Sequence, residues 1–169
     1  ILLGLVGSEM CIRDSVSPAT TNRHSWGFWA TQGLKEQTEL ARQRWHKWQI
    51  ITAERKVTQT ADSHPYCRLD SRDWLTHCLN IIDGNIQREP DNLPTSGAKP
   101  VFDSRPPKVP DGAMLQHFKG VEIKAAQPCF SPDTAILMDF RCDQSRGIHF
   151  IYLLPYSPTE ALVESTMLS

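Results

Sequence analysis

The 169-residue chain has no apolar run approaching the roughly 20 residues that span a bilayer, so no transmembrane helix is expected. It has no surplus of charge. Eighteen Lys and Arg stand against nineteen Asp and Glu, a net of −1, which leaves no electrostatic footprint for nucleic acid. The opening residues do not read as a secretory signal, because Ile1–Val6 is short and no Lys or Arg precedes it. G-x-G-x-x-G, P-loop and G-x-S-x-G patterns are missing, so neither a phosphate-cradling loop nor a nucleophile elbow is legible. No internal repeat or low-complexity tract is visible. What is present is ordinary globular composition, 40% hydrophobic and 22% charged, enough for one domain. Twelve prolines, most of them in the second half, predict short elements joined by rigid turns.

The segment Gly4–Ser15, GLVGSEMCIRDS, has two glycines and no periodic face. Met10–Ser15 is what the bases ATG TGT ATA AGA GAC AG, with one more base, encode in frame. The stretch resembles a translated sequencing adapter, and Ile1–Leu3 go with it. Residues 1–15 are therefore set aside as an expected artefact without consistent packing, and natural sequence is expected from near Val16. That leaves Cys67, Cys78, Cys129 and Cys142, expected as free thiols in a reducing compartment.

Arg23–Trp29 is aromatic-rich and interrupted by Gly27, a loop or short extended piece. Leu34–Trp48 has helix-forming composition, with Leu34, Thr38, Ala41 and Trp45 near one face. Gln49–Thr52 and Tyr66–Leu69 read as strands. A helix start follows at Asp70–Trp74, where Asp70 or Ser71 can accept backbone N–H bonds. Its apolar stripe is Trp74, Leu75, Cys78, Leu79 and Ile82. Residues 83–99 are broken by Asp-Gly, Glu-Pro, Leu-Pro and Ser-Gly. Val101-Phe102 is a short apolar piece ended by the prolines of Asp103-Ser-Arg-Pro-Pro107. Four strand-like runs come next: Phe118–Ile123, Ala135–Arg141, His149–Leu154 and Ala161–Leu168. Their short spacings permit hairpins and leave no room for crossover helices, so an antiparallel sheet is expected. Several runs are nearly all apolar, which predicts cover on both faces.

His64, Cys67, His77 and Cys78 raise the question of zinc. Adjacent His77 and Cys78 on a helix point about a hundred degrees apart, so a buried Cys78 with solvated histidines is the expectation, and no metal. Asp139 and Glu164 carry more information, since each is an acid inside an apolar strand. Solvent exposure is the ordinary reading of both. Desolvation would raise either carboxyl's pKa and keep a proton available, as a general acid requires. Arg141 lies two residues from Asp139 on the same strand face, and a plain ion pair there is at least as good a reading as a site.

His24–Trp29, Val101–Pro107, Ile136–Gln144, and His149–Ser157 running into Leu162–Thr166 occur in an order and spacing that resembles flavin-dependent lycopene cyclases. The resemblance covers Val16–Ser169. The last motif, Val163-Glu-Ser-Thr166, keeps the family's acid while its neighbours differ from the usual Leu-Glu-Glu-Thr. The resemblance implies an α/β FAD-binding fold of the glutathione-reductase and hydroxybenzoate-hydroxylase kind, α+β in this piece, with an antiparallel substrate sheet. It implies closure of the linear ends of lycopene into rings without net redox change, an isomerase reaction of carotenoid biosynthesis. FAD in its reduced form, with NAD(P)H as reductant, is the implied cofactor. Glu164 is then the catalytic acid, and Asp103, Ser104 and Arg105 lie beside the nucleotide. Asp139, Arg141, Trp26 and Trp29 are assigned to the substrate. A membrane-dissolved carotenoid implies a cytoplasmic enzyme in peripheral contact with the membrane.

The family's glycine-rich turn should precede Arg23, and its later flavin motif should follow Ser169. The expected object is a central fragment, inactive by itself and unable to retain FAD. Its expected parts are residues 1–15 from the adapter, 16–112 from a partial FAD-binding domain, and 113–169 from a partial substrate sheet. A flavin monooxygenase of the same fold and an apolar-ligand-binding protein are the alternatives.

Overall fold

A computed structural model describes residues 11–13, 24–81, 101–103 and 108–169, the first and third of these as backbone. The chain is mostly sheet. Its strands are β1 (Cys11–Arg13), β2 (Ser25–Trp29), β3 (Gln43–Trp45), β4 (Lys47–Ile51), β5 (Lys56–Thr60), β6 (Tyr66–Asp70), β7 (Val101–Asp103), β8 (Gln116–Lys124), β9 (Thr134–Asp139), β10 (Ile148–Pro155) and β11 (Glu160–Leu168). Among the described residues two α-helices accompany them, α1 (Lys35–Glu39) and α2 (Ser71–Ile81).

The largest sheet has six strands in the order β5-β4-β9-β10-β11-β8. β9, β10 and β11 pair antiparallel as successive hairpins, and β8 joins the far side of β11, also antiparallel, instead of pairing with β9. The sheet is mixed nonetheless, because β4 runs parallel to β9. Two strands from before residue 112 thus belong to the sheet expected to begin at 113, and that boundary does not separate the sheets. A second sheet, β2-β6-β3, is antiparallel and packs on the first. Its middle strand β6 is buried on both sides. Tyr66 and Arg68 point to the six-stranded sheet. Cys67 and Leu69 alternate to the side where α1 and α2 pack.

The core between the sheets is small and aromatic. Trp45, Ala135 and Leu154 are fully buried, and Trp48, Tyr66, Leu137, Tyr152, Tyr156 and Leu162 pack around them. Burial of Trp45 decides its local structure. Its indole Nε1–H donates to the carbonyl of Pro155 at 3.1 Å, a bond that a buried donor needs. The expected helix over 34–48 is therefore only five residues long. Thr38 Oγ1 bonds back to the Leu34 carbonyl, and Arg42 N–H pairs with the Arg68 carbonyl as the chain turns into β3. Tertiary burial of one large side chain outweighs helix propensities of a few tenths of a kcal/mol per residue. The predicted start of α2 holds, with Asp70 Oδ1 accepting from Arg72 N–H at 3.0 Å as its cap.

β1 pairs parallel with β7, Cys11 opposite Val101 and Arg13 opposite Asp103. This corrects the expectation that residues 1–15 have no consistent partner. Cover on both sheet faces is also corrected. β8 is exposed along its whole length among the described residues, with Phe118 66% accessible.

Candidate active site

The two sheets leave an open cleft of about 340 Å³ lined by His24, Ser25, Phe118, Gly120, Glu122, Leu162 and Glu164. The register explains its lining. On β11, Leu162, Glu164 and Thr166 share the face that looks toward the three-stranded sheet. They stand opposite Glu122, Gly120 and Phe118 of β8. On the other side of β11 the same residues face Leu154, Tyr152 and Phe150 of β10. Glu164 is thus flanked by a glycine on one strand and a tyrosine on the other.

Gly120 keeps the carboxyl open to the cleft. A Cβ there would sit 3.4 Å from Glu164 Oε2 and 3.2 Å from Leu162 Cδ1. Glu164 Oε1 accepts a hydrogen bond from Thr166 Oγ1 at 3.1 Å, and Thr166 is itself buried. The other cleft carboxylate, Glu122, is committed elsewhere. It receives Arg68 Nη2 at 3.3 Å and the Tyr156 hydroxyl at 3.4 Å. Arg68 is buried yet fully satisfied. Nε reaches Ser25 Oγ, Nη1 reaches Gln43 Oε1, and the guanidinium lies 4.2 Å from the centre of the Tyr156 ring. One buried cation thereby ties β2, β3, β8 and the β10–β11 turn around the cleft.

Behind Glu164 lies an aromatic group. The Tyr152 hydroxyl donates to the Tyr66 hydroxyl at 2.5 Å. Trp29 stands edge-on to Tyr66 at 5.0 Å and to Trp48 at 5.6 Å, and Trp45 lies 6.3 Å from Tyr66. Burial pushes both phenols' pKa upward, and the nearby Glu164 charge adds to the push. They stay neutral at any physiological pH. Gly27 makes room for them. A Cβ there would run into the Tyr66 hydroxyl and stand 2.8 Å from that of Tyr152.

The residues expected at the site are only partly together. Glu164 is in the cleft, and Trp29 is in the aromatic group behind it. Trp26 alternates to the opposite face of β2 and is 42% exposed. Asp139 pairs with Ile151, the neighbour of Tyr152 on β10, and so takes the other face of the sheet. There it accepts two bonds from the Arg141 guanidinium, at 2.9 and 2.6 Å, and one from the Arg141 backbone N–H at 3.1 Å. These bonds hold its carboxyl below the usual carboxylate range. Asp139 and Arg141 form a local ion pair, and the fold does not bring them to Glu164. Asp103 closes β7, and its side chain, with Ser104 and Arg105, lies outside the described residues. His64 bonds Ser63, Cys67 is buried against the Pro65 carbonyl, and His77 is 3.6 Å from Glu36. Among the described residues no group of His, Cys, Asp and Glu converges as a metal set.

Tyr66, Tyr152, Gly27 and Gly120 were not singled out from sequence. One signal was available: counting outward from the Ser157-Pro158 turn places Tyr152 opposite Glu164.

Comparison with known proteins now bears on this arrangement. The family model described as lycopene cyclase protein matches residues 6–169. The chain belongs to the lycopene cyclase family. The match begins inside the stretch set aside as adapter-like. Among curated members, the lycopene beta-cyclase of Paracoccus sp. (strain N81106 / MBIC 01143) is 46% identical over 55 residues, 32% of this chain. That alignment spans 14% of the Paracoccus protein, so the chain covers a small part of its relative's length. No solved structure matches.

Proposed function

We propose that the protein to which this chain belongs closes the linear ends of lycopene into rings, and that Glu164 is the acid that starts each closure. The observation that carries this reading is the position of Glu164, in an open cleft, facing a glycine and backed by neutral phenols and indoles. Glu122 is engaged by Arg68, whereas Glu164 takes a single bond from Thr166 among the described residues.

The chemistry asks for one proton in and one proton out. A proton from Glu164 adds to the terminal carbon–carbon double bond and leaves a tertiary carbocation. The next suitably placed double bond attacks it and forms the ring bond. Loss of a proton from the new ring restores neutrality, and the Glu164 carboxylate is the nearest base for it. No electron is gained or lost. Trp29 and the two tyrosines present π-faces suited to a developing cation. The cleft volume is near the low end for small-molecule pockets, which suits the end group of a long molecule rather than the whole of it.

FAD, with NAD(P)H as its reductant, is the proposed cofactor of the whole protein, but the described residues do not fit its pyrophosphate. α2 is the one described helix of eight or more residues, and the buried Asp70 carboxylate already caps its start. A phosphate there would meet negative charge instead of free N–H groups. Residues Asp103, Ser104 and Arg105 remain the proposed segment beside the nucleotide, and no step is routed through the flavin. Peripheral contact with a membrane is proposed from the substrate's solubility, and the cytoplasmic side is the proposed one. The exposed Met114, Leu115 and Phe118 are apolar side chains suited to it, and no described helix is long and apolar enough to cross a membrane.

The test is a full-length protein containing this sequence, expressed in lycopene-producing cells. Glu164→Gln keeps the side-chain shape and removes the ionisable proton. Lycopene should accumulate at unchanged protein level, with ring formation down about 100-fold or more, the usual worth of a general acid. Ring formation at the normal rate would remove Glu164 from the role.

A further inference from the structure

We propose that the Tyr66–Tyr152 hydroxyl pair is a positioning device for Glu164, in which Tyr66 holds the phenol proton of Tyr152 away from the carboxyl. The inference rests on the reading of Glu164 as the acid, and it adds two residues to that site.

Three observations lead to it. Tyr152 is the direct cross-strand partner of Glu164, so its ring stands beside the carboxyl on the same sheet face. Its hydroxyl nevertheless donates to Tyr66, on a strand of the other sheet. The backbone at Gly27 leaves a space fitted to the two oxygens, which any side chain would fill.

The consequence is electrostatic. A phenol donating to Glu164 would stabilise the carboxylate, so less of the carboxyl would hold its proton near neutral pH. With the Tyr152 proton committed to Tyr66, that stabilisation is withheld. The other titratable or charged groups around Glu164 are His24 before β2 and Glu122 on β8, the latter engaged by Arg68 and Tyr156. They are common to every variant below, so differences between variants cancel their contributions.

The experiment measures ring formation against pH in membranes containing the full-length enzyme, for wild type, Tyr66→Phe, Tyr152→Phe and the double variant. Tyr66→Phe removes the acceptor and frees the Tyr152 hydroxyl to turn to Glu164. The alkaline limb should move toward acid by about one unit, the size of shift one hydrogen bond gives a carboxyl. Tyr152→Phe should leave the limb in place, and adding it to Tyr66→Phe should return the limb to the wild-type position. A purely structural pair would instead lower the rate in all three variants, with the double worst and no change in the limb, and that result overturns the proposal. So does an acid shift in the double variant as large as in Tyr66→Phe. Tyr66→Met removes the same acceptor and replaces the phenylalanine variant if the latter does not accumulate. Glu164→Gln is run in parallel. If it still forms rings, the reading of Glu164 fails. If it is inactive and the limb does not move in Tyr66→Phe, only the role of the pair fails.

Discussion

The two faces of the six-stranded sheet treat a carboxyl in opposite ways. On the outer face, Asp139 is bonded three times by Arg141, whose guanidinium is exposed while the carboxylate is mostly covered. On the inner face, Glu164 stands against a glycine, a buried threonine and two neutral phenols, with no cation bonded to it among the described residues. Both acids sit in apolar strands one sheet position apart in parity. A carboxyl made for a local ion pair gains a cation two residues along its own strand. Glu164, the proposed proton donor, has neutral cross-strand neighbours and access to the cleft.

The contrast predicts that substitutions in the layer between the two sheets cost far more than those on the outer face of the six-stranded sheet. Trp45→Ala removes the largest fully buried side chain and orphans the Pro155 carbonyl. Its cost should be about 3–5 kcal/mol in a denaturant melt, enough to unfold a marginal domain. Gly27→Ala comes next. The new methyl collides with the Tyr66 hydroxyl, and overpacking of this kind costs about 1–3 kcal/mol. An unchanged melting temperature for Gly27→Ala would mean that the two hydroxyls do not sit as described.

The exposed edge gives a different signature. β8 ends the sheet with accessible Phe118, Val121 and Ile123, an edge that invites pairing with another chain. The 169-residue chain should self-associate, and Phe118→Lys with Val121→Lys should shift it toward monomer in sedimentation. A wild-type chain that sediments as a monomer at all concentrations would contradict this.

Asp139→Asn should have the smallest effect, a loss of a few degrees at most in melting temperature. Its sign with pH follows from the ion pair. Arg141 depresses the folded-state pKa of Asp139, so the stabilisation is present above the unfolded value of about 4 and is lost as pH falls through the folded one. The difference between wild type and Asp139→Asn should therefore shrink on going from pH 6 to below about pH 3. A difference that grows in acid would mean that Asp139 is not held as described.

The four C-terminal strands were legible because turn signals separate them, and β9, β10 and β11 pair with their neighbours in sequence, whereas β8 pairs with β11 instead of the adjacent β9. β5 was not, since Lys56–Thr60 is polar and exposed throughout and carries no burial pattern. The parallel pairing of β4 with β9 was hidden for another reason. It joins residues as far apart as Lys47 and Thr134, and no local period encodes it. At the site, Glu164 was found as an acid among apolar residues. Asp139 looked the same, because the identity of a strand face depends on register, and a bulge between Ile151 and Leu153 shifts it. Tyr66 could not be found from its own neighbourhood, since its partner Tyr152 lies 86 residues away.

The most direct test sets the two acids side by side in the full-length protein. Carotenoids from lycopene-producing cells would be quantified for Glu164→Gln and Asp139→Asn at matched protein levels. The inner-face assignment predicts lycopene in the first and mostly ring-closed product in the second. Ring closure retained by Glu164→Gln and abolished by Asp139→Asn would contradict it.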